Sequence, residues 1–394
     1  MKPWERNLYS LWFGRFVAVA GLTMVMPFLP LYIRELGITG EETVKLWSGL
    51  IFAAPFMISV FMQPLWGILG DRYGRKPMVA RGMFGMAVAF FLMGYCNTVL
   101  QFLVLRFFQG IFSGFAAPSL ALQASCTPED RTGQALGTLQ TSQVTGFIVG
   151  PLLGGLLSHV LGYRALFFWT GACCLTGGLI VLAFVREEFV KKGERKGSRL
   201  RENLLDVYRS ASLRTTLVLL IMIQVSIQIV SPFLSLYVEY LNVSPDRIGL
   251  MTGLVFGITG ITNALTAPFW GKRSDRVGYR KILRYSLYGM TLFYLPQAFV
   301  TDVHQLLVLR ALLGVFVGGA MPAINSIVQR SSAPENRGAI YGIFQSGLVL
   351  GNMAGPLIGG GLAAAFGLRS IFLITTLVFF LATLWERKTG LHSN

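Results

Sequence analysis

The sequence predicts an all-α integral membrane protein with twelve transmembrane helices arranged as two six-helix bundles. Three observations lead to this prediction: the composition, the length of the apolar stretches and an internal repeat. Of the 394 residues, 53% are hydrophobic and only 13% are charged, whereas soluble domains carry about 25% charged residues. The composition therefore excludes a soluble protein of this length.

Apolar stretches recur along the whole chain, and each approaches the ~20 residues that a helix needs to cross a bilayer. An alternating strand pattern at barrel spacing does not recur, so helices are the spanning elements. The predicted spans of the first half are 8–33, 43–69, 77–96, 99–121, 134–158 and 165–185. Those of the second half are 214–238, 246–270, 281–299, 303–326, 338–363 and 368–385. The predicted domains are a first bundle at 1–185, a cytoplasmic linker at 186–213 and a second bundle at 214–394.

Basic residues are distributed unevenly about these spans. Most of the 34 Lys and Arg residues fall at the two termini, in alternate loops and in the linker. The opposite ends of the helices hold Arg34, Lys45, Arg164, Arg247 and Arg369. Under the positive-inside rule, both termini and the linker lie in the cytoplasm, as expected for a bacterial cytoplasmic-membrane protein. The net charge of +16 is thus a topology signal and does not indicate nucleic-acid binding.

The second half of the sequence repeats the first. VMPFLPLYI (25–33) matches VSPFLSLYV (230–238), PLWGILGDRYGRK (64–76) matches PFWGKRSDRVGYRK (268–281), LRFFQG (105–110) matches LRALLG (309–314), and GTLQTSQVTGFIVGPLLGG (137–155) matches GIFQSGLVLGNMAGPLIGG (342–360). Two six-helix bundles related by a parallel repeat are an architecture of secondary transporters, whose substrate site lies near the bilayer midplane. The four cysteines lack metal-ligand spacing, so no metal site is predicted.

Four patterns resemble the twelve-helix drug/proton antiporters of the major facilitator superfamily. They are GILGDRYGRK (67–76), LRFFQG (105–110), the glycine series of GTLQTSQVTGFIVGPLLGG (137–155), and Gly21 with Pro27 and Pro30 on helix 1. The chain is also similar to bacterial multidrug transporters of the MdtG type, notably in VMPFLPLY (25–32) and GYRALFF (162–168). The resemblance covers nearly the whole chain and is weakest in the linker.

The resemblance implies proton-coupled efflux of hydrophobic or amphipathic compounds by alternating access. The implied partners are a small drug-like molecule, protons and the lipid bilayer, with a monomer as the working unit and the proton gradient in place of any cofactor. The alternative on the same fold is export or import of a specific solute such as a sugar, metabolite or lipid. A membrane-embedded enzyme is disfavoured because HExxH, GxSxG and paired intramembrane carboxylates are missing from the sequence. A sensor is disfavoured because the sequence predicts no appended soluble domain.

The turn between helices 2 and 3 holds candidate gating residues. They are Gly67, Asp71, Arg72, Gly74 and Arg75, with Asp275 at the matching place in the second half. Asp71 is an acid among cations, and a carboxylate there can dock on the positive N-terminal end of a helix. The resemblance implies helix 11 as that partner for Asp71 and helix 5 for Asp275, where Tyr279 weakens the motif. The alternative for Arg75 is a positive-inside anchor.

Small residues on helix 5 form a second group of gating candidates. Gly146 and Gly150 lie on one face at four-residue spacing, which allows close helix approach. Pro151 removes a backbone donor and is expected to bend the helix. Gly355 and Pro356 repeat the pattern on helix 11. The resemblance links this bend to efflux, and the alternative is passive packing.

Arginines inside predicted spans are the candidates for proton coupling. Arg106 lies in helix 4 and Arg310 in helix 10, where an ionised side chain is costly and indicates function. The alternative for both is snorkelling to the interface, and snorkelling is the interpretation of Arg15 near the cytoplasmic end of helix 1. No Asp or Glu lies in the middle of a predicted span, so proton coupling is implied by resemblance alone. The marginal acidic or titratable candidates are Asp71, His159 and Glu239.

Polar, methionine and aromatic side chains of the spans are candidates to line a substrate cavity. They are Met24, Phe28, Gln140, Gln143, Met222, Gln224, Gln228, Phe233, Asn325 and Gln345. Methionines and flat aromatics suit varied hydrophobic ligands. The alternative for the amides is hydrogen bonding between helices, which is expected for about half of them.

Overall fold

The computed structural model describes residues 2–187, 200–332 and 336–390. Within these ranges the chain forms twelve main helices and a short linker helix, Leu200–Arg209. The helices are α1 (Pro3–Glu35), α2 (Glu41–Tyr73), α3 (Arg75–Gly94), α4 (Val99–Cys126), α5 and α6 (together Thr132–Phe184), α7 (Ala211–Tyr240), α8 (Ile248–Val277), α9 (Tyr279–Tyr294), α10 (Val303–Ser331), α11 (Arg337–Phe366) and α12 (Leu368–Gly390). The predicted all-α fold is confirmed, and each of these helices except α9 belongs to a stretch that is long and apolar enough to cross a membrane.

Prolines interrupt the two opening helices at matching places. α1 tightens into a 3₁₀ segment at Met26–Phe28, and α7 does the same at Ser231–Phe233. Each segment contains a proline, which cannot donate the helical hydrogen bond. α4 is broken at 113–115, where Gly114 has φ +97°, whereas α10 runs unbroken.

The connection between α5 and α6 differs from the prediction, which placed a loop at 159–164. The connection is shorter than this: α5 and α6 meet at a kink at Gly162, which leaves helical geometry with φ 77° and ψ 169°. Gly367 joins α11 to α12 in nearly the same conformation, φ 81° and ψ 170°. A side chain is strained in this region of φ, so both one-residue connections depend on glycine.

The described chain divides into two compact units. Unit 1 comprises Met1–Gly40, Leu50–Gly193 and Ser244–Gly257, and unit 2 comprises Glu41–Gly49, Glu194–Val243 and Ile258–Asn394. These bounds differ from the predicted domains at the first turns of α2 and of α8. The predicted boundaries of the two bundles and the linker stay a prediction.

Each unit has an aromatic core near the ends of its first helix. In unit 1, Tyr32 packs on Phe102 and Phe167, and its hydroxyl donates to the Met93 carbonyl at 3.0 Å. In unit 2, Tyr237 packs on Phe372, and its hydroxyl donates to the Gln297 carbonyl at 2.5 Å. Both buried hydroxyls therefore have acceptors, as burial without a penalty requires.

Candidate functional site

The turn between α2 and α3 is held by an acid that sequence reasoning missed. Gly74 has φ +100°, which confirms that the turn needs glycine at this position. The Glu187 carboxylate, just after α6, accepts from the backbone N–H groups of Arg75 at 2.7 Å and of Lys76 at 2.8 Å. A carboxylate at a helix N-terminus satisfies free donors and complements the helix dipole.

Arg75 is bonded inside unit 1. Its guanidinium donates to the Ala121 carbonyl on α4 at 2.5 Å, so a positive-inside anchor does not describe it fully. Gly67 faces open space. The side chains of Asp71 and Asp275 lie outside the described residues, although their backbones are within α2 and α8. Their predicted docking therefore stays a prediction.

A glycine face of α5 packs directly on α1. A Cβ at Gly146 would lie 2.7 Å from Val19 Cγ1. At Gly150 a Cβ would overlap the Thr23 hydroxyl and the Ala20 carbonyl. Thr23 in turn donates to the Gly146 carbonyl at 2.9 Å. The helix backbones approach closely here, so a larger residue requires the helices to separate.

The matching face of α11 packs on α7. A Cβ at Gly355 would lie 2.5 Å from Gln228 Cβ, and one at Gly351 would lie 2.6 Å from Gln224 Cβ. Gln224 donates through Nε2 to Asn352 Oδ1 at 2.6 Å, which is the interhelical bonding given above as the alternative to cavity lining. The helices continue through Pro151 and Pro356.

Arg106 is buried within unit 1 and is 1% exposed. Its Nε donates to the Ile51 carbonyl on α2 at 3.0 Å, and its Nη1 donates to Gln109 Oε1 at 2.7 Å. Both acceptors are neutral. Burial of the side chain contradicts snorkelling to the interface.

Arg310 is buried within unit 2 and is 6% exposed, so snorkelling is wrong for this residue as well. Its guanidinium lies 5.7 Å from the Tyr294 ring centroid and 5.9 Å from that of Phe372. Its Nε and Nη2 are buried without a hydrogen-bond partner. Aromatic faces attract a cation but leave these two donors unfilled.

The snorkelling interpretation of Arg15 is wrong. Arg15 is 1% exposed, and its Nη2 donates to Gln143 Oε1 at 2.5 Å and to Gln140 Oε1 at 3.2 Å. Depth along α1 alone does not reveal the two amides on α5 that accept from this guanidinium. Two of the ten predicted cavity residues are therefore partners of a buried cation.

The other cavity candidates divide by accessibility. Met24, Phe28 and Phe233 are buried in helix packing, where the Phe28 ring lies on Gly154 and the Phe233 ring on Gly359. They do not line an accessible surface in this structure. Met222 and Gln228 are half-buried, and Asn325 and Gln345 are exposed. Their role in a cavity stays a prediction.

A buried acid near the end of α12 was also missed. Glu386 is 3% exposed and accepts two hydrogen bonds from Arg284 on α9, at 2.5 and 3.2 Å. The predicted last span ends at residue 385, one position before Glu386. The signal available in the sequence was the continuing helical pattern of α12.

Twelve main helices in two repeated halves, nearly all of them long and apolar enough to cross a membrane, define a multi-pass membrane protein with the architecture of a secondary transporter. The sequence profile of the Major Facilitator Superfamily matches the chain over residues 11–258 and again over 216–390. The chain belongs to this superfamily.

Curated relatives and solved structures agree with this assignment. The multidrug resistance protein MdtG of Salmonella paratyphi B and that of Salmonella typhimurium are each 37% identical over 372 residues, covering 94% of this chain and 92% of the relative. A bacterial homolog of the human lysosomal transporter Spinster, inward-facing and occupied, superimposes with TM-score 0.81 at 14% identity, over 99% of this chain and 97% of that one. The human organic anion transporter MFSD10 (TETRAN) superimposes with TM-score 0.72 at 19% identity, over 98% and 100%. At such identities the structures show a common fold.

Proposed function

We propose that this chain exports hydrophobic or amphipathic compounds by proton-coupled alternating access. The observation that carries the proposal is the 37% identity to proteins named multidrug resistance protein MdtG along 94% of the chain. The close-packed glycine face of α5 on α1, in a segment that resembles the antiporter motif, supports export over import.

The energy source in this proposal is the proton gradient, without a cofactor. Buried Arg106 and Arg310 lower the proton affinity of any acid that approaches them, which supports a role in coupling. The acids available to carry the proton are Asp71, Glu239 and the buried Glu386, with His159 as a titratable base. Glu386 joins the earlier candidates because the structure buries it against Arg284.

A transport assay in proteoliposomes tests the proposal. Purified chain is reconstituted, a hydrophobic dye such as Hoechst 33342 is added, and a pH gradient is imposed or collapsed with nigericin. We expect dye movement only with the gradient, and proton flux that rises when dye is added. Gradient-independent dye movement, or gradient-driven movement of a sugar or metabolite with no dye transport, would contradict multidrug efflux and favour a specific solute.

The same proposal places the chain in a bacterial cytoplasmic membrane as a monomer, with both termini and the 186–213 linker in the cytoplasm. The Lys and Arg excess at these segments supports the orientation. Reporter fusions after residue 213 and at the C-terminus measure this orientation. Activity at either site of a reporter that works only outside the cytoplasm would contradict the predicted orientation. Crosslinking in the native membrane tests the monomer.

A further inference from the structure

The contact between α1 and α5 holds a cluster of hydrogen-bond donors around Arg15. The Arg15 guanidinium is buried, and one of its nitrogens donates to Gln140 and Gln143. The other two, Nε and Nη1, are also buried and have no hydrogen-bond partner. A buried donor without an acceptor costs free energy, so the cluster is incomplete as the chain alone forms it.

The guanidinium determines how both glutamine amides point. Because it carries donors only, each amide turns its oxygen toward Arg15 and leaves its NH₂ group facing elsewhere. Among the described residues, Arg15 bonds to these two amides and to no carboxylate. The cluster therefore combines a positive charge with unfilled donors, and the missing component is an anionic oxygen.

Aromatic surface adjoins these donors. Trp12 and Phe16, both half-buried on α1, stack with ring centroids 5.4 Å apart and planes 18° apart. The Trp12 Nε1 donates to Thr141 Oγ1 at 2.8 Å, so the stack lies against the same segment of α5 as Arg15. Gln140 is exposed, and its bond to Arg15 is the longer one at 3.2 Å. Gln140 is therefore the partner that we expect an incoming ligand to displace.

We propose that Trp12, Arg15, Phe16, Gln140 and Gln143 form a binding site for amphipathic anions. The site takes a carboxylate, sulfonate or phosphate on the guanidinium and the amides, and an apolar body on the aromatic stack. As a substrate site it rests on the proposed efflux function and extends the substrates to organic anions. An anionic phospholipid offers the same chemistry, and the experiment separates the two sources.

Two dyes with the same rings provide the test. The probes are 8-anilinonaphthalene-1-sulfonate and N-phenyl-1-naphthylamine, which lacks the sulfonate. Each is titrated by fluorescence against the full chain in phosphatidylcholine nanodiscs, with empty nanodiscs subtracted. We expect Arg15→Gln to weaken sulfonate binding at least about tenfold, as for loss of charged hydrogen bonds. Binding of the neutral dye should stay within about twofold.

The matched control is Arg81→Gln on α3. Arg81 also has buried guanidinium nitrogens without a partner, but it lies over the Trp66 ring at 3.4 Å. We expect its substitution to leave both affinities unchanged. Sulfonate binding that survives Arg15→Gln, or that weakens equally in Arg81→Gln, would overturn the site. An equal loss of affinity for the two dyes in Arg15→Gln would also overturn it.

A second variant keeps the test valid if Arg15→Gln does not fold. Gln143→Glu places a carboxylate where Arg15 already donates at 2.5 Å, so it should fill the cluster from within. We expect a raised melting temperature and sulfonate binding as weak as in Arg15→Gln. Unchanged sulfonate binding in a stabilised Gln143→Glu chain would overturn the proposal.

Lipid composition separates the two sources. Phosphatidylglycerol in the nanodiscs should compete with the sulfonate for wild-type chain if the site holds a lipid headgroup, and should have no effect if it selects a free solute. Either outcome should depend on Arg15. Competition between phosphatidylglycerol and the sulfonate dye that persists in Arg15→Gln would contradict the site. The binding test measures no transport step. Its failure would therefore not contradict proton-coupled dye efflux, and failure of the efflux assay would not contradict anion binding at Arg15.

Discussion

Arg106 and Arg310 occupy the same place in the two repeats, yet their surroundings differ. Arg106 donates to a backbone carbonyl of α2 and to Gln109 one turn along its own helix. Arg310 lies between the rings of Tyr294 and Phe372 with two donors unfilled. In LRALLG, Leu313 stands where LRFFQG has Gln109. One substitution in the repeat thus removes the amide acceptor from the second half.

The glycine faces show the opposite behaviour. α5 packs on α1 through Gly146 and Gly150, and α11 packs on α7 through Gly351 and Gly355, with similarly short approaches. The repeat keeps the backbone packing of its halves and lets the bonding of their buried cations diverge. Matched substitutions in the two halves test this difference.

The largest effect is expected at the glycine faces. Gly150→Leu and Gly355→Leu should each abolish dye efflux, since each side chain would occupy space held by the facing helix. The matched controls are Gly137→Leu and Gly342→Leu, because a Cβ at either position would face open space and meet no facing helix within 4 Å. Proteoliposome efflux at equal protein amounts measures the difference. Loss in one half only would break the equivalence of the two faces.

The arginines should respond unequally. Arg106→Ala should lose proton-driven transport, keep dye binding and lose about 1–3 kcal/mol of stability, because Gln109 and the Ile51 carbonyl are left unpaired. Arg310→Met should have equal or higher stability, since it removes a buried cation with unfilled donors. Thermal unfolding and efflux under an imposed gradient measure both.

Arg106→Lys keeps the charge without the planar fork, and we expect partial transport from it. Normal export by Arg106→Ala would make the residue structural and place coupling elsewhere.

Substitutions of the matching acids Asp71 and Asp275 should differ in their effect on efflux by less than substitutions of the two arginines. Asp71→Asn should reduce efflux several-fold at normal expression, because it removes a helix-dipole contact of about 0.3–1 kcal/mol, or ~2 when partly buried. Asp275→Asn should be milder, since Tyr279 stands in place of the second arginine of its motif. Equal efflux from both variants and wild type would leave the turns as topology anchors.

The smallest effect is expected at Glu187. Glu187→Ala removes the acceptor of two N-terminal amides of α3 and should cost about 1 kcal/mol of stability. The control is Glu41→Ala on α2, whose carboxylate is exposed and 3.7 Å from Lys45; surface pairs of this kind contribute little. Equal melting temperatures of the two variants would contradict the capping role.

The spans, the repeat and the superfamily could be predicted from sequence because each depends on local hydropathy or on matching residues along the chain. The partners of buried side chains could not. Glu187 reaches a turn more than a hundred positions earlier in the chain, and Arg15 depends on amides of another helix. Such contacts arise from helix packing, which periodicity does not encode.

Two predicted span ends also differ from the structure. The predicted spans leave 159–164 as a connection, whereas α5 and α6 meet at the single non-helical residue Gly162. Glu386 lies just beyond the predicted end of the last span at residue 385, and its pairing with Arg284 allows it to be buried. In both places a tertiary partner or a single glycine changes the outcome.

The one-residue joints at Gly162 and Gly367 constrain how this chain can vary in length. One added residue in a helix turns everything beyond it by about 100°. An insertion in α6 between Gly162 and Thr170 would therefore turn Thr170, whose hydroxyl donates to the Gly21 carbonyl at 2.8 Å, away from α1 or force the joint to absorb the rotation. Insertions and deletions among homologues, and engineered tags, are expected to avoid these two glycines and to accumulate where the connection between helices is longer.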